Sequence, residues 1–244
     1  ILDPFSGCGS ILIGAAQRGL NSVGIELNPV ASFSTKVKLT RLSGSQLDMI
    51  DYFRQGLDGI IKNSSLWPLP SLSISDKVFE PDILDTLLKI RESIETFACG
   101  DVDVRDFLLL AWVSILETVG SYFKEGNGIK YRNKKRQKWG YEDRPQGEWQ
   151  LERFGSNQRE FVLNEYRSKL SLMLDDTSYW KNGSWDTQKI IQGNALRLEE
   201  LCMNRTFDSI IFSPPYANRF DYFESFKVEL WFGGFVKTYE DMNT

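Results

Sequence analysis

Histidine is absent from this 244-residue sequence, and cysteine is scarce. Without an imidazole, a histidine general base and a histidine metal ligand are both excluded. The three cysteines, Cys8, Cys99 and Cys202, lie far apart and form no Cys-x-x-Cys pair. Such spacing argues against a disulfide framework and against a zinc site. We therefore expect a protein of a reducing, cytoplasmic compartment that binds no metal.

Long apolar runs are missing as well. The longest one, residues 107–113 followed by Ile115 and Leu116, is much shorter than the roughly 20 residues that cross a bilayer. The chain does not open with a basic segment followed by an apolar one, so no signal peptide is visible. The composition predicts a globular protein with no membrane partner.

Acidic and basic residues nearly balance, to a net charge of −4, but they are unevenly distributed. Residues 124–138 contain seven basic side chains against one acidic one, a local net charge of +6. Tyr131, Trp139 and Tyr141 alternate with these cations, a pattern that suits phosphate contacts and base stacking. A solvated, flexible loop is the alternative. The candidate DNA-binding residues of this stretch are Lys130, Arg132, Lys134, Lys135, Arg136 and Lys138.

Strand and helix signals alternate at both ends of the chain. "ILDPF" and "NSVGIEL" read as strands, and each is followed by a helical segment, the second with Asn28 as cap and Pro29 in its first turn. "QKIIQGNAL" and "FDSIIFSPPY" read as two further strands, with Pro214 ending the last one. This order is typical of a parallel sheet covered by helices, an α/β fold.

The middle of the chain has a different pattern. "PDILDTLLKIRESIETF" and "DVRDFLLLAWVSILETV" repeat apolar residues at helical spacing, and a third helix is expected near residues 158–174. We therefore predict a mostly helical insertion over residues 45–185, within an α/β domain formed by residues 1–44 and 186–244.

A glycine-rich turn, "DPFSGCGS" (residues 3–10), follows the first predicted strand. Glycines let a ligand approach the backbone, and the next helix presents free N–H groups there. The spacing Gly7-x-Gly9 followed by Gly14 is not the G-x-G-x-x-G of dinucleotide-binding proteins, so a nicotinamide cofactor is disfavoured. A strand-to-helix turn without a ligand is the alternative.

"DPFSGCGS" resembles the motif D-P-F-x-G-x-G-[ST] of the S-adenosylmethionine-dependent DNA amino-methyltransferases, and "GIELNP" is similar to the segment that follows it in that family. The resemblance implies a Rossmann-like methyltransferase sheet. It also implies that Glu26 accepts hydrogen bonds from the cofactor ribose and that Asn194 lies beside the adenine. The implied residues for S-adenosyl-L-methionine are Asp3, Pro4, Phe5, Gly7, Gly9, Glu26 and Asn194.

"SPPY" resembles the catalytic motif [DNS]-P-P-[YFW] of the same family, which methylates exocyclic nitrogens of DNA bases. Such an amine is a poor nucleophile because its lone pair is delocalised into the ring. The Ser213 hydroxyl and the Pro214 carbonyl could accept its hydrogens, with Pro215 keeping the turn rigid. Tyr216 would stack on a target base rotated out of double-stranded DNA. A strand-terminating turn is the alternative for this motif alone.

Within the family, enzymes with serine at the first motif position more often methylate the N4 atom of cytosine, and those with aspartate more often methylate the N6 atom of adenine. Arg219 lies just beyond the motif and could touch DNA or pair with Asp221. The resemblance implies a prokaryotic restriction-modification enzyme. An adenine-N6 enzyme, an RNA guanine-N2 methyltransferase and a non-catalytic DNA-binding subunit stay open.

The family's sheet has about seven strands, whereas only four are predicted here. We therefore expect that an additional segment or a partner chain completes the sheet.

Overall fold

The computed structural model describes residues 1–126, 128–137, 140–145, 147–181, 183–214 and 221–242. Its strands and helices, in chain order, are β1 (Leu2–Asp3), α1 (Ser10–Gln17), β2 (Ser22–Glu26), α2 (Pro29–Leu39), α3 (Gly44–Lys62), α4 (Pro81–Phe97), α5 (Val102–Val119), β3 (Tyr122–Glu125), β4 (Gly128–Tyr131), β5 (Lys134–Gln137), β6 (Gly140–Asp143), α6 (Glu148–Phe154), α7 (Gln158–Asp176), β7 (Gln188–Gln192), α8 (Leu198–Leu201), α9 (Tyr222–Ser225) and α10 (Lys227–Phe232). Short 3-10 helices cover Thr177–Lys181, Ala195–Arg197 and Glu240–Met242.

The chain divides into two units. The first unit comprises Ile1–Leu47 and Leu174–Phe220, and the second comprises Asp48–Met173 and Asp221–Thr244. The sequence-based division had joined residues 221–244 to the α/β part. In the structure they belong with the helical unit because α10 buries Val228, Leu230 and Phe232 there.

A small parallel sheet forms the centre of the first unit. Its strand order is β1-β2-β7, and Ser22 to Glu26 pair residue by residue with Gln188 to Gln192. On the other side of β1, Ile210 forms a single parallel bridge with Leu2. The mixed helix-and-sheet architecture agrees with the predicted α/β class, but the fourth predicted strand is reduced to this bridge.

Each face of the parallel sheet carries its own apolar cluster, because neighbouring residues of a strand point to opposite faces. Ile190 packs toward Leu12, Ala16, Leu39 and Trp185, a cluster that includes residues of α1 and α2. On the other face, Ile191 packs against a cluster of Leu2, Val23, Ile25 and Cys202. Helices α1 and α2 therefore cover one face, and the short helix α8 packs against the other through Leu198 and Leu201.

The segment 209–211 is covered less well than the paired strands. Ile210 is 57% exposed and Ile211 is 48% exposed. Consecutive residues of an extended segment point to opposite faces, so both faces of this segment are open.

The second unit is helical at its centre. The Trp112 indole N–H of α5 donates to the Leu87 carbonyl of α4 at 3.0 Å, and the Tyr166 hydroxyl of α7 donates to the Leu108 carbonyl at 3.0 Å. The helices predicted over residues 81–97, 103–119 and near 158–174 are observed as α4, α5 and α7. Two antiparallel hairpins, β3-β4 and β5-β6, were not predicted and occupy the basic stretch.

Candidate active-site edge

The predicted cofactor residues and Ser213 lie at one edge of the parallel sheet, after neighbouring segments of it. Because the strands run in the same direction, their carboxyl ends meet there, which is where open α/β sheets bind ligands. Three features lie at this edge: the turn of residues 3–9, which starts at the last residue of β1, Glu26 at the end of β2, and Asn194 after β7. The stretch that continues to Ser213 runs beside β1.

The turn of residues 3–9 is shaped by two glycines and by α2. Gly7 has φ +52° and Gly9 has φ +83°, a backbone region that other residues rarely adopt. A Cβ atom on Gly9 would lie 2.6 Å from Cγ2 of Thr35, so no larger residue fits without a shift. The Thr35 hydroxyl also donates to the Gly7 carbonyl at 3.0 Å. Thr35 thus fixes this turn from the side of α2.

Glu26 joins the end of β2 to the same turn. Its Oε2 accepts from the Gly7 N–H at 2.7 Å, and its Oε1 accepts from the Asn28 N–H at 2.7 Å. A carboxylate has about four acceptor positions, so about two stay available for hydroxyl groups. This geometry leaves room for the expected ribose contact and gives Glu26 a structural task as well.

Asp3, the first residue of the turn, is buried. Its Oδ1 accepts from the Phe5 N–H at 3.1 Å. Burial raises the pKa of Asp3, the Phe5 hydrogen bond opposes this shift, and the charge of Glu26 adds to it. The Asp3 carboxyl therefore keeps its proton to a higher pH than a free aspartate.

Asn194 begins a short 3-10 helix. Its Oδ1 accepts from the Leu196 N–H at 2.9 Å, as expected of a capping residue. The amide oxygen has a second lone pair, which is compatible with the expected contact to an adenine amino group.

Ser213 and Pro214 are exposed at the end of the extended segment. The preceding residue, Phe212, contacts Phe5, with ring centroids 5.7 Å apart. This aromatic pair connects the cofactor turn with the start of the catalytic motif. Pro215, Tyr216 and Arg219 lie outside the described residues.

Two of the predicted DNA-binding cations are bound within the protein. The Arg132 guanidinium donates to the Gly120 carbonyl at 3.1 Å and lies over the Phe123 ring. Lys134 forms an ion pair with Asp143 on the neighbouring strand.

Lys130, in contrast, is exposed on β4 and forms no ion pair with any residue that the structure describes. The side chains of Lys135 and Arg136, and the whole of Lys138, lie outside the described part of the chain.

An ion pair between the half-buried Lys124 and the buried Glu229 connects the β3-β4 hairpin to the rest of the second unit. Lys124 Nζ lies 2.7 Å from Oε1 of Glu229 and 3.9 Å from the centre of the Phe226 ring. Burial raises the pKa of Glu229, and the Lys124 charge opposes that shift. Lys124 therefore contributes to the hairpin's attachment rather than to a free cationic surface.

A cavity of about 960 Å³ lies at the opposite edge of the parallel sheet, lined by Leu20, Ser22, Thr187, Ser209 and others. It is remote from the glycine turn. Within the described ranges, no cluster of three or more cysteine, aspartate or glutamate side chains could hold a metal ion. None of the described helices is long and apolar enough to cross a membrane.

Sequence reasoning missed Thr35, Lys38 and Phe212. Thr35 and Lys38 donate to the Gly7 and Cys8 carbonyls, the latter at 3.1 Å, although 28 and 30 positions separate the partners. The motif gave no signal for them, because the contacts depend on where α2 crosses the turn. Only the adjacency of Phe212 to "SPPY" could have drawn attention to it.

Comparison with curated proteins finds distant relatives along nearly the whole chain. Type II methyltransferase M.AvaI of Nostoc sp. is 25% identical over 235 residues, which cover 94% of this chain and 47% of the relative. Type II methyltransferase M.BsoBI of Geobacillus stearothermophilus is 24% identical over 240 residues, 96% of this chain and 47% of the relative.

A third relative, Type II methyltransferase M.MvaI of Kocuria varians, is 24% identical over 232 residues, which cover 89% of this chain and 46% of the relative. The chain's curated relatives are Type II methyltransferases. It spans about half the length of the relatives that it matches. No family model and no solved structure matches it.

Proposed function

We propose that this chain carries the cofactor turn and the catalytic turn of a DNA methyltransferase, which transfers a methyl group from S-adenosylmethionine to the N4 atom of cytosine. The observation that carries the proposal is the shared strand edge of the glycine turn, Glu26, Asn194 and Ser213. The Type II methyltransferase relatives support the same reaction type. We assign the enzyme to a restriction-modification or related defence system.

The residues of this edge fit S-adenosylmethionine. The N-terminus of α1 has no side-chain cap, and its N-cap, Gly9, lies in the glycine turn, so free N–H groups and a positive dipole end are available to an anionic group. Glu26 retains acceptor positions for hydroxyls. When bound, the cofactor would supply the methyl group: the nitrogen–methyl bond forms as the sulfur–methyl bond breaks, the sulfur leaves as a neutral thioether, and the amino group gives up one hydrogen as a proton.

The catalytic turn would act on the amine through hydrogen-bond acceptors. The Ser213 hydroxyl oxygen and the Pro214 carbonyl would each accept one hydrogen of the exocyclic amino group. These two bonds draw the nitrogen toward tetrahedral geometry and localise its lone pair, while the Pro-Pro pair fixes their direction. We assign to Tyr216 the stacking of the target base after its rotation out of the duplex.

The second unit supplies the proposed DNA contact. Lys130 lies exposed on a hairpin that the ion pair between Lys124 and the buried Glu229 connects to the rest of the second unit. A rigid hairpin with an exposed cation suits contact with a phosphate group. We propose that the region of residues 45–185 selects the DNA.

Labelled methyl transfer to duplex DNA, followed by analysis of the nucleoside digest, tests the reaction, the base and the atom together. We expect N4-methylcytosine from the unaltered protein. Ser213→Ala should lower the rate because one acceptor is lost, and Tyr216→Ala should lower it through lost stacking. Ser209→Ala, in the same segment but at the opposite end from the edge, is the matched control and should retain activity.

The alternatives give different products in this assay. N6-methyladenine in the digest would show that the target base is adenine and not cytosine. Transfer to tRNA alone would overturn the DNA assignment and favour an RNA guanine-N2 methyltransferase.

A second candidate function is a non-catalytic DNA-binding subunit. One observation favours it: within the described part of the chain, the parallel sheet has three strands and one bridge, with no strand on the outer side of residues 209–211. Under this candidate, a partner chain or a further segment completes the sheet. Calorimetry with S-adenosylmethionine separates the two functions, because a folded protein that binds DNA but no cofactor favours the subunit.

A further inference from the structure

Residues 5–9 of the cofactor turn have five backbone N–H groups, and four of them already have acceptors in the protein. The four bonds are Phe5 N–H to Asp3 Oδ1 (3.1 Å), Ser6 N–H to Ile25 O (2.9 Å), Gly7 N–H to Glu26 Oε2 (2.7 Å) and Gly9 N–H to Ser6 O (2.9 Å). No hydrogen bond among the described residues uses the Cys8 N–H as its donor. Because Cys8 is exposed, its N–H is open to water or to a ligand, and it is the one donor of residues 5–9 that the turn does not use itself.

The direction of the Cys8 N–H is set by Thr35. The Thr35 hydroxyl donates to the Gly7 carbonyl, which belongs to the same peptide group as the Cys8 nitrogen. This peptide is trans, and a planar trans peptide directs its C=O and its N–H to opposite sides. With its carbonyl held toward Thr35, the peptide presents its N–H on the side that faces away from α2.

Thr35 is well placed to hold the peptide rigidly. Its side chain is 0% exposed, and it contacts the position where a Gly9 Cβ would lie. Threonine in a helix divides between two side-chain rotamers, and the bond to the Gly7 carbonyl together with burial selects one of them for Thr35. Lys38 adds a bond from Nζ to the Cys8 carbonyl, but on the exposed surface, where such a bond contributes less.

We propose that Thr35 is a positioning residue, which aims the Cys8 N–H at the carboxylate of the cofactor's amino-acid part. This inference rests on the proposed function for the identity of the ligand. The carboxylate is the group that fits, because the Cys8 N–H lies just before the uncapped N-terminus of α1, where the helix dipole favours an anion.

Titration calorimetry with two ligands tests this role. One ligand is S-adenosylmethionine, and the other is 5′-methylthioadenosine, which lacks the amino-acid part. For Thr35→Val, which keeps the shape but loses the hydroxyl, we expect about tenfold weaker binding of S-adenosylmethionine, as for one misaligned charge-assisted hydrogen bond. Binding of 5′-methylthioadenosine should change little.

Thr35→Ser restores the hydroxyl and should bind S-adenosylmethionine nearly as well as the unaltered protein. Thr40→Val is the matched control. The Thr40 hydroxyl donates to the Lys36 carbonyl at the C-terminal end of α2, the helix that also contains Thr35, but it does not bond to the turn. This variant should bind both ligands normally.

Three results would overturn the proposal: unchanged S-adenosylmethionine binding by Thr35→Val, equal weakening of both ligands, or failure of Thr35→Ser to restore affinity. Amide exchange of Gly7 and Gly9 in the ligand-free protein gives an independent readout. It should be faster in Thr35→Val than in Thr40→Val, and equal rates would contradict the positioning role. Absence of cofactor binding by the unaltered protein would instead refute the proposed function, while the exchange comparison would still decide whether Thr35 orders the turn.

Discussion

Replacement of Gly9 by alanine tests how closely α2 packs on the cofactor turn. Gly9 has φ +83°, and a Cβ atom there would lie 2.6 Å from Cγ2 and 2.8 Å from Oγ1 of Thr35. The left-handed conformation costs a non-glycine residue about 1–2 kcal/mol, and overpacking typically costs about 1–3 kcal/mol more. We therefore expect Gly9→Ala to lower the free energy of unfolding of the first unit by about 2–5 kcal/mol.

Gly7→Ala is the matched comparison. Gly7 also has a positive φ, of +52°, but a Cβ atom there would meet nothing within 4 Å. Only the conformational cost of about 1–2 kcal/mol is expected. Urea denaturation gives the free energy of unfolding of both variants, and the amide exchange of β2 residues reports the stability of the first unit. Equal destabilisation by the two substitutions would refute the close packing.

A double-mutant cycle sharpens this test. Thr35→Ala removes the two nearest atoms and leaves Cβ, 3.1 Å from the Gly9 Cβ position. The double variant should therefore be less destabilised than the two single effects together. A cycle without coupling would contradict a direct contact.

Three further predictions concern the cofactor, pH and DNA. Cys8 is exposed in the glycine turn, so S-adenosylmethionine should slow its alkylation, measured by peptide mass spectrometry, while Cys99 should react at an unchanged rate. Asp3→Asn should stabilise the protein at pH 7 in urea denaturation, since burial and the charge of Glu26 disfavour the ionised carboxyl. Lys130→Ala should weaken DNA binding, measured by fluorescence anisotropy. If one phosphate contact is lost, the slope of the logarithm of the binding constant against the logarithm of the salt concentration should become shallower by about 0.9.

The sign of the pH effect follows from the raised pKa of Asp3. The folded state holds this proton to a higher pH than the unfolded state, whose pKa lies near 3.8. Folding stability therefore falls as pH rises from about 3.8 through the folded-state pKa, and the full cost is present above it. The advantage of Asp3→Asn should disappear below pH 3.8. An advantage that persists there would show that titration is not its cause.

Controls exist for the other two predictions. Equal protection of Cys8 and Cys99 from alkylation would contradict a cofactor site at the turn. Lys134→Ala should affect DNA binding less than Lys130→Ala, because Lys134 is paired with Asp143. The reverse order would show that the proposed contact is assigned to the wrong strand.

Local signals predicted the first unit well. Asn28 accepts from the Val30 N–H at 2.9 Å and caps a helix that begins at Pro29, as predicted. The strands at residues 22–26 and 188–192 also appear where the apolar runs indicated. These elements depend on neighbouring residues, so a single sequence contains the necessary information.

Features that depend on distant residues were not predictable in the same way. The β3-β4 hairpin depends on Lys124 reaching a buried carboxylate, Glu229, which lies more than 100 positions away. Thr35 gains its importance from the crossing of α2 over the turn. The catalytic role of the "SPPY" motif and the DNA contact of the basic residues stay predictions, because Tyr216 and Lys138 lie outside the described residues.

The open segment at residues 209–211 has a practical consequence for work with this polypeptide. Two exposed isoleucines lie beside a strand edge that pairs with none of the described strands on its outer side, and they present backbone groups and apolar surface that favour pairing with another strand. In concentrated solution, this stretch is where we expect self-association to begin. A lysine in place of Ile210, whose side chain is the more exposed of the two, would introduce a charge that opposes such stacking.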